Sequence, residues 1–478
     1  GTLGSLILGL PAARLLYRTR FRGRGALRAL VTVPFVLPTV VVGVAFTSLV
    51  IPTGPLGGLG LDHTFAVVVA ALVFFNAAVV IRTVGGLWAG LDGRPAEVAA
   101  VLGASPRRIL WTITLPALGP AIASSSALVF LFCASAYGVV MVLGGVGYAT
   151  IETEIWFRTN QLLDLSGAAA LSVIQLLVVI SSLLVANLLQ QRLARAQRMR
   201  SDERAIPAWR LRQDWFPTLI TAALVVLIVL PLGHLVGRSL RTATGWGLDH
   251  YAALATTTGP LAVPVTTALA TSLRTATLAT VLALILGITV SLVVSRRPRS
   301  AAGRRLLGAL DAVFMLPLGV SAVTVGFGFL ITLNRPPLDL RTSMILVPIA
   351  QAIVALPLVM RVLLPVLRAV DPRLREAAAV LGAGPGRVLA SVDLAFLARG
   401  LGLATGFAFA TALGEFGATS FLARPDQPTL PVVIFRLIGR PGLENQGTAM
   451  AAAVVLAVFT ATVMALAERM RPVEATSW

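Results

Sequence analysis

The sequence predicts an all-α, polytopic membrane protein built from two helical bundles that repeat one another in the same orientation. The 478 residues are 57% hydrophobic and only 12% charged, with a mean hydropathy of +0.88. A typical soluble domain carries roughly 25% charged residues, so a water-soluble fold of this size could not cover its surface with so few charges. The other two observations are the recurrence of long apolar runs and a match of the chain with itself at a constant offset.

The apolar runs are long enough to cross a bilayer. A membrane helix needs about 20 mostly apolar residues. Glycine and proline within such a run are tolerated because neighbouring helices satisfy the backbone groups that they free. On this criterion the chain has eleven predicted spans, at residues 1–17, 26–50, 64–90, 118–145, 166–190, 216–237, 265–295, 305–332, 343–367, 398–421 and 447–468.

Arginine sets the predicted orientation. All 39 basic residues are arginine, no lysine occurs, and the net charge is +19. Cytoplasmic loops of membrane proteins carry an excess of Lys and Arg. The clusters that fall on one side of the predicted membrane are Arg18 to Arg28, Arg192 to Arg212, Arg296 to Arg305, the loops with Arg94, Arg107, Arg373 and Arg387, and the C-terminal Arg469 and Arg471. The opposite loops, around Asp62, Glu152, Asp249 and Asp426, are mixed or acidic. The C-terminus is therefore predicted to be cytoplasmic, and the positive charge is interpreted as a record of topology and not as a nucleic-acid footprint.

The self-match has an offset of 279 residues and needs no insertion between residues 37 and 155. Leu37-Pro38 pairs with Leu316-Pro317, and the run 99–104 is identical to 378–383. We therefore predict a first half at 1–190 and a second half at 216–478, joined by a cytoplasmic linker at 191–215. Residues 216–279 have no counterpart before Gly1, so we expect roughly one preceding helix and twelve spans in the intact chain.

The closest match between the copies lies in a predicted cytoplasmic loop. Copy one reads Glu97-Val98-Ala99-Ala100 with Gly103, and copy two reads Glu376-Ala377-Ala378-Ala379 with Gly382. Asp92 or Asp371 can cap a short Ala-rich helix whose first turn holds the glutamate, and the glycine with the following proline can end it. A short protruding helix with a small-residue face suits docking into a groove on a partner.

This pattern resembles the EAA loop of the permease subunits of binding-protein-dependent ABC importers. Two copies in one chain resemble the fused permeases of the thiamine and ferric-iron importers, over essentially the whole sequence. The segments most similar to the thiamine branch are Leu413 to Thr419, Phe421 to Asp426, Pro428 to Pro431, Thr150 to Glu152, Ile155-Trp156 and Ile174-Gln175. The resemblance implies bundles of the type I importer permease kind in a bacterial inner membrane. Val98 and Ala395 depart from the family pattern and put the equivalence of the two loops in doubt.

The resemblance also implies a function. The chain is expected to be the permease of an importer that moves a small solute, with thiamine as the first choice and ferric iron as the alternative. An extracytoplasmic binding protein would deliver the solute, and two copies of an ABC ATPase would drive transport. The residues expected to seat the ATPase subunits are Glu97, Ala99, Ala100, Gly103, Glu376, Ala377, Ala378 and Gly382. The chain itself is expected to be no enzyme and to bind no cofactor, with ATP and Mg²⁺ on the partner subunits, because a phosphate loop requires a lysine that the chain lacks.

Glu415 and Phe416 are the candidates for the translocation path or for a contact with the binding protein. Glu415 lies in a predicted apolar segment, and a carboxylate inside a membrane is a functional candidate. The competing interpretation is that Glu415 is hydrogen-bonded within the bundle for structure. An ion-coupled secondary transporter is the alternative of another class, but it predicts several buried ionisable residues and only Glu415 stands out. No metal site is expected, because Cys133 is the single cysteine and the three histidines lack zinc-ligand spacing.

Overall fold

The computed structural model of the chain describes residues 1–145, 147–193, 207–242, 245–257, 261–296, 298, 300–315, 320–333, 339–340 and 343–470. Several predictions fall outside the described residues: the repeat partner Leu316-Pro317, residues 194–206 of the linker, and the arginines Arg297, Arg299 and Arg471.

Among its described residues, the first copy has ten α-helices. They are α1 (Thr2–Arg18), α2 (Arg24–Val36), α3 (Thr39–Val50), α4 (Phe65–Gly90), α5 (Arg94–Val101), α6 (Pro106–Ile109), α7 (Leu115–Ala134), α8 (Gly138–Leu143), α9 (Ile151–Asn160) and α10 (Leu165–Leu193). A π-helical turn, Leu110–Thr114, joins α6 to α7.

Two helices and a small hairpin separate the copies. They are α11 (Leu211–Ser239), the strands β1 (Arg241–Thr242) and β2 (Gly245–Trp246), and α12 (Asp249–Ala252). The strands pair antiparallel, with Arg241 opposite Trp246.

The second copy repeats the order of the first. Its helices are α13 (Val265–Val294), α14 (Ala301–Met315), α15 (Ala322–Thr332), α16 (Leu346–Arg368), α17 (Pro372–Val380), α18 (Pro385–Val388), α19 (Leu394–Leu413), α20 (Thr419–Leu422), α21 (Leu430–Ile438) and α22 (Leu443–Arg469). A second π-helical turn, Leu389–Asp393, lies 279 residues after the first. The structural repeat therefore extends beyond the region in which the sequences match, from α1 and α13 to α10 and α22.

Eight helices among the described residues are long and apolar enough to cross a membrane, or nine if a bent pair is one span. The predicted span at 26–50 is broken, because α2 and α3 meet at an angle of 103° around Leu37-Pro38. Proline disfavours helical backbone in the residue before it, which explains the break. The predicted spans at 118–145 and 398–421 also run too far, since α7 ends at Ala134 and α19 ends at Leu413.

By spatial contact the chain divides into two compact units. Unit 1 comprises Gly1–Phe35, Ala45–Glu154 and Ala169–Leu235, and unit 2 comprises Val36–Val44, Ile155–Ala168 and Val236–Trp478. The halves predicted at 1–190 and 216–478 rest on sequence similarity, so the two divisions describe different properties of the chain.

The core of unit 1 lies among α1, α4 and α7, which pack on one another. Its buried residues include Ala13, Val80, Trp88, Leu118 and Val129. Alanine and valine dominate this core, which lets the helix backbones approach closely, as in other membrane bundles.

Unit 2 uses the matching helices. α13, α16 and α19 pack on one another, and α22 packs on α19. Val290, Leu356 and Met360 lie in a buried cluster that Leu310 and Phe314 of α14 partly cover. Both units thus place a short loop helix, α5 or α17, after the second helix of the same packed trio.

Candidate functional site

The first loop of interest leaves α4 and forms α5. Asp92 Oδ1 accepts a hydrogen bond from the backbone N–H of Arg94 at 3.1 Å, although Gly93 occupies the N-cap position. Glu97 lies in the first turn of α5, as predicted. A carboxylate in the first turn is stabilised by the partial positive charge of the helix N-terminus.

The second loop leaves α16 and forms α17. Asp371 is the N-cap of this helix and accepts a hydrogen bond from the backbone N–H of Arg373 at 2.9 Å, as predicted. The prediction that the first turn holds the glutamate is wrong for copy two. Because α17 begins at Pro372, Glu376 lies in its second turn.

Both short helices end in the same hydrogen-bonded turn. The N–H of Ala104 donates to the carbonyl of Ala99 and that of Gly103 to the carbonyl of Ala100, at 2.9 and 3.0 Å. Ala383 and Gly382 repeat this pattern at 3.0 Å. The pattern is a Schellman motif, which requires a left-handed residue at the position after the C-cap. Gly103 and Gly382 supply it, with φ of +84° and +85°.

The tips of the two helices are exposed and apolar. Val101 and Leu102 have 88% and 81% of their surface exposed, and Val380 and Leu381 have 87% and 86%. The coupling residues expected from the sequence lie beside these tips. Glu97, Ala100, Gly103, Glu376, Ala377 and Gly382 are exposed, whereas Ala99 and Ala378 are half-buried. Two large apolar side chains next to an exposed carboxylate, repeated in both copies, form a surface suited to a protein partner.

The two short helices differ in the charged groups that connect them to neighbouring helices. In copy one an electrostatic interaction joins Glu97 to Arg18, at the end of α1. In copy two the buried carboxylate of Asp393 pairs with Arg375 of α17 and with Arg296, just beyond the end of α13. Asp393 is not among the site residues predicted from the sequence. A carboxylate at the start of an apolar run, where copy one has Thr114, is the signal that could have found it.

Glu415 and Phe416 are both buried, in the turn between α19 and α20. Glu415 Oε1 accepts a hydrogen bond from the N–H of Ala418 at 2.7 Å, and Oε2 accepts one from the N–H of Thr419 at 3.0 Å. The Phe416 ring contacts Phe435, with 5.3 Å between ring centroids. The carboxylate therefore caps the start of α20, which favours a structural role. Its participation in the translocation path stays a prediction.

A second buried carboxylate lies among the segments that resemble the thiamine branch. Glu152, in α9, accepts a hydrogen bond from Gln175 Nε2 of α10 at 3.3 Å. Thr150 donates from its hydroxyl to the carbonyl of Ala136 at 2.9 Å. These contacts order the start of α9 within unit 1. Among the described residues, no group of three His, Cys, Asp or Glu side chains could hold a metal ion.

Comparison with known proteins identifies the family. Residues 5–199 match the family described as binding-protein-dependent transport system inner membrane component. The thiamine transport system permease protein of Escherichia coli is 30% identical over 95% of this chain and 84% of its own length. The corresponding protein of Brucella abortus is 26% identical over 98% of this chain and 85% of its own length. The molybdenum transport system permease protein of Azotobacter vinelandii is 36% identical, but over 29% of this chain and 65% of its own length.

These relatives are permease subunits of transport systems, not enzymes. The similarity to the fused thiamine permeases extends over nearly all of the chain. The chain belongs to the permease family of the binding-protein-dependent ABC importers, in its fused, two-domain form.

Proposed function

We propose that the chain imports thiamine, which an extracytoplasmic binding protein delivers and which two copies of an ABC ATPase drive across the membrane. The observation that carries the choice of cargo is the extent of similarity. The thiamine permeases match over 95% to 98% of this chain, whereas the molybdenum permeases match over 29% to 38%.

The two loop helices support the proposed coupling. α5 and α17 would each insert the apolar tip, Val101-Leu102 or Val380-Leu381, into a groove of one ATPase subunit. Full burial of a Val or Leu side chain contributes about 1.5–3 kcal/mol, so each tip supplies a substantial part of a docking contact. Glu97 and Glu376 would then meet basic groups at the edge of the groove. ATP and Mg²⁺ would remain on the ATPase subunits. The movement of these subunits as they close would be transmitted to the permease through α5 and α17.

Charge reversal tests the coupling role. In Glu97→Arg or Glu376→Arg the side chain is exposed, so the permease should fold and insert normally. The reversed charge should weaken retention of the ATPase and lower the stimulation of ATP hydrolysis by the loaded binding protein. Glu444→Arg is the matched control, because Glu444 is an exposed carboxylate in the first turn of another helix. Undiminished uptake in both loop variants would contradict the mechanism.

Reconstitution tests the cargo. The permease, its ATPase and its binding protein are placed in nanodiscs, and ATP hydrolysis is measured with the binding protein loaded with thiamine, ferric iron or molybdate. We expect stimulation with thiamine alone. Stimulation by ferric iron would select the alternative cargo, and equal stimulation by an empty binding protein would reject a substrate-gated importer.

A further inference from the structure

The second coupling helix, α17, is tied to its own helical bundle by an ion triad around a buried carboxylate. Asp393 is 1% exposed and lies at the end of the π-helical turn that leads into α19. Its Oδ1 accepts a hydrogen bond from Arg375 Nε at 2.8 Å, and its Oδ2 accepts one from Arg296 Nη2 at 2.8 Å. One carboxylate thus connects three elements of unit 2: α17, the start of α19 and the end of α13.

The triad is specific to copy two. At the offset of 279 residues, Arg375 and Asp393 correspond to Ala96 and Thr114. The backbone is the same in both copies, since the π-helical turn and the short helix occupy matching positions. Copy one therefore has a matching backbone at this junction but lacks the carboxylate and the arginine of the loop helix.

We infer that Asp393 is a positioning residue that fixes α17 to α13 and α19, so that the two coupling helices of this permease are unequally anchored. Hydrogen bonds to charged groups are shorter and stronger than neutral ones, and the pairs of a buried carboxylate are screened less by salt than pairs on the surface. Movement of an ATPase subunit against α17 would pass directly to two membrane helices. Movement against α5 would pass through its packing on the π-helical turn Leu110–Thr114 and the electrostatic attraction between Glu97 and Arg18.

This inference rests on the proposed coupling role of α17, but its first test does not. Spin labels are placed at Ala100→Cys or Ala379→Cys in full-length permease that also carries Cys133→Ala, and the mobility of the label is read from its spectrum in nanodiscs. The two sites are matched, because both are exposed and lie within identical hexapeptides. Asp393→Asn should raise the mobility of the label at position 379 and leave that at position 100 unchanged.

The charged groups of the triad can also be introduced into copy one. Ala96→Arg combined with Thr114→Asp places the missing groups at the matching positions of copy one and should lower the mobility of the label at position 100. Asp393→Glu keeps the charge and should restore an immobile label at position 379. Both arginines of the triad are partly exposed, so Asp393→Asn leaves them access to water and should not prevent folding. If Asp393→Asn leaves the mobility of the label at position 379 unchanged, the inference is overturned.

The second readout is transport per ATP hydrolysed in the assembled importer. Asp393→Asn should lower this ratio by about twofold or more, within the range by which single residues change coupling between sites. Asp393→Glu should recover it. If Asp393→Asn raises the mobility of α17 but leaves transport per ATP hydrolysed unchanged, α17 does not transmit movement to the membrane helices through Asp393. Failure of the general coupling role would show separately, as normal transport in Glu376→Arg.

Discussion

At the scale of single residues, the glycines that end α5 and α17 have a backbone conformation that no other residue type adopts as readily. Gly103 and Gly382 have positive φ, and no atom lies within 4 Å of a Cβ built on either one. Space is therefore available for a side chain, and the constraint comes from the backbone alone. Left-handed backbone costs an L-residue about 1–2 kcal/mol, while Asn adopts it more readily than Ala.

We therefore expect Gly382→Ala to weaken binding of the ATPase about fivefold, which corresponds to about 1 kcal/mol. The strain would be relieved by fraying of the turn that presents Leu381. Gly382→Asn should bind more tightly than Gly382→Ala, and binding is measured by titrating labelled ATPase onto the permease in nanodiscs. Gly386→Ala is the control, because Gly386 also has free space but no positive φ. Equal affinity of Gly382→Ala and of the unaltered permease for the ATPase would contradict this account.

Glu415 illustrates how a residue that the sequence marks as functional can act structurally. Both carboxylate oxygens accept backbone N–H groups at the start of α20. A glutamine offers one accepting oxygen and an NH₂ group that cannot accept, so one buried N–H would lose its partner. An unsatisfied buried donor costs about 1–3 kcal/mol.

Glu415→Gln should therefore lower the midpoint of thermal unfolding of the permease, measured in detergent, while the folded fraction transports the same cargo. Glu444→Gln, at an exposed position, should leave the midpoint unchanged. An unaltered midpoint together with altered cargo selectivity would instead support the translocation-path role.

At the scale of helices, small residues decide how closely the spans of unit 2 approach. A Cβ built on Gly406 of α19 would clash with the Cβ of Ala467 on α22. The two helices pack on each other at this point, and both are among the predicted spans. Forcing an extra methyl group into a well-packed contact costs typically about 1–3 kcal/mol.

Gly406→Ala should therefore destabilise the permease by about 1–3 kcal/mol, although alanine favours helix more than glycine does. Gly119→Ala, in the matching helix α7 of copy one, should not destabilise it, because no atom lies within 4 Å of a Cβ built there. Denaturant titration of both proteins in the same detergent makes the comparison. A loss of stability in Gly119→Ala as large as in Gly406→Ala would contradict the packing argument.

The sequence predicts the helices and their repeat well, because apolar periodicity and identical runs are local properties of the chain. It predicts the ends of the loop helices for the same reason, through Asp371 and the two glycines. It fails at Leu37-Pro38, where an uninterrupted apolar run hides a bend of 103°. It also misses the Asp393 triad, because Arg296 and Asp393 are 97 residues apart and only the packing of α13 on α19 brings them together.

At the scale of the whole molecule, the distribution of arginine accounts for the unusual net charge of +19. Arginines cluster in alternate loops, including those that carry α5 and α17, and the remaining loops are mixed or acidic. Attraction of basic residues to the anionic cytoplasmic leaflet is worth about 1 kcal/mol per residue near the surface. Summed over several clusters, this bias predicts one orientation, in which both loop helices lie on the cytoplasmic side.

Cysteine labelling tests this orientation directly, since Cys133 is the single native cysteine and Cys133→Ala gives a background without thiols. Ala100→Cys and Ala379→Cys should react with a membrane-impermeant thiol reagent in inverted vesicles but not in intact spheroplasts. Leu248→Cys and Asp426→Cys, at exposed positions in the opposite loops, should show the reverse pattern. Reaction of Ala379→Cys from outside the cell would contradict the predicted orientation. It would also remove the basis for docking an ATPase on α17, because the arginine pattern and the coupling site must lie on the same side of the membrane.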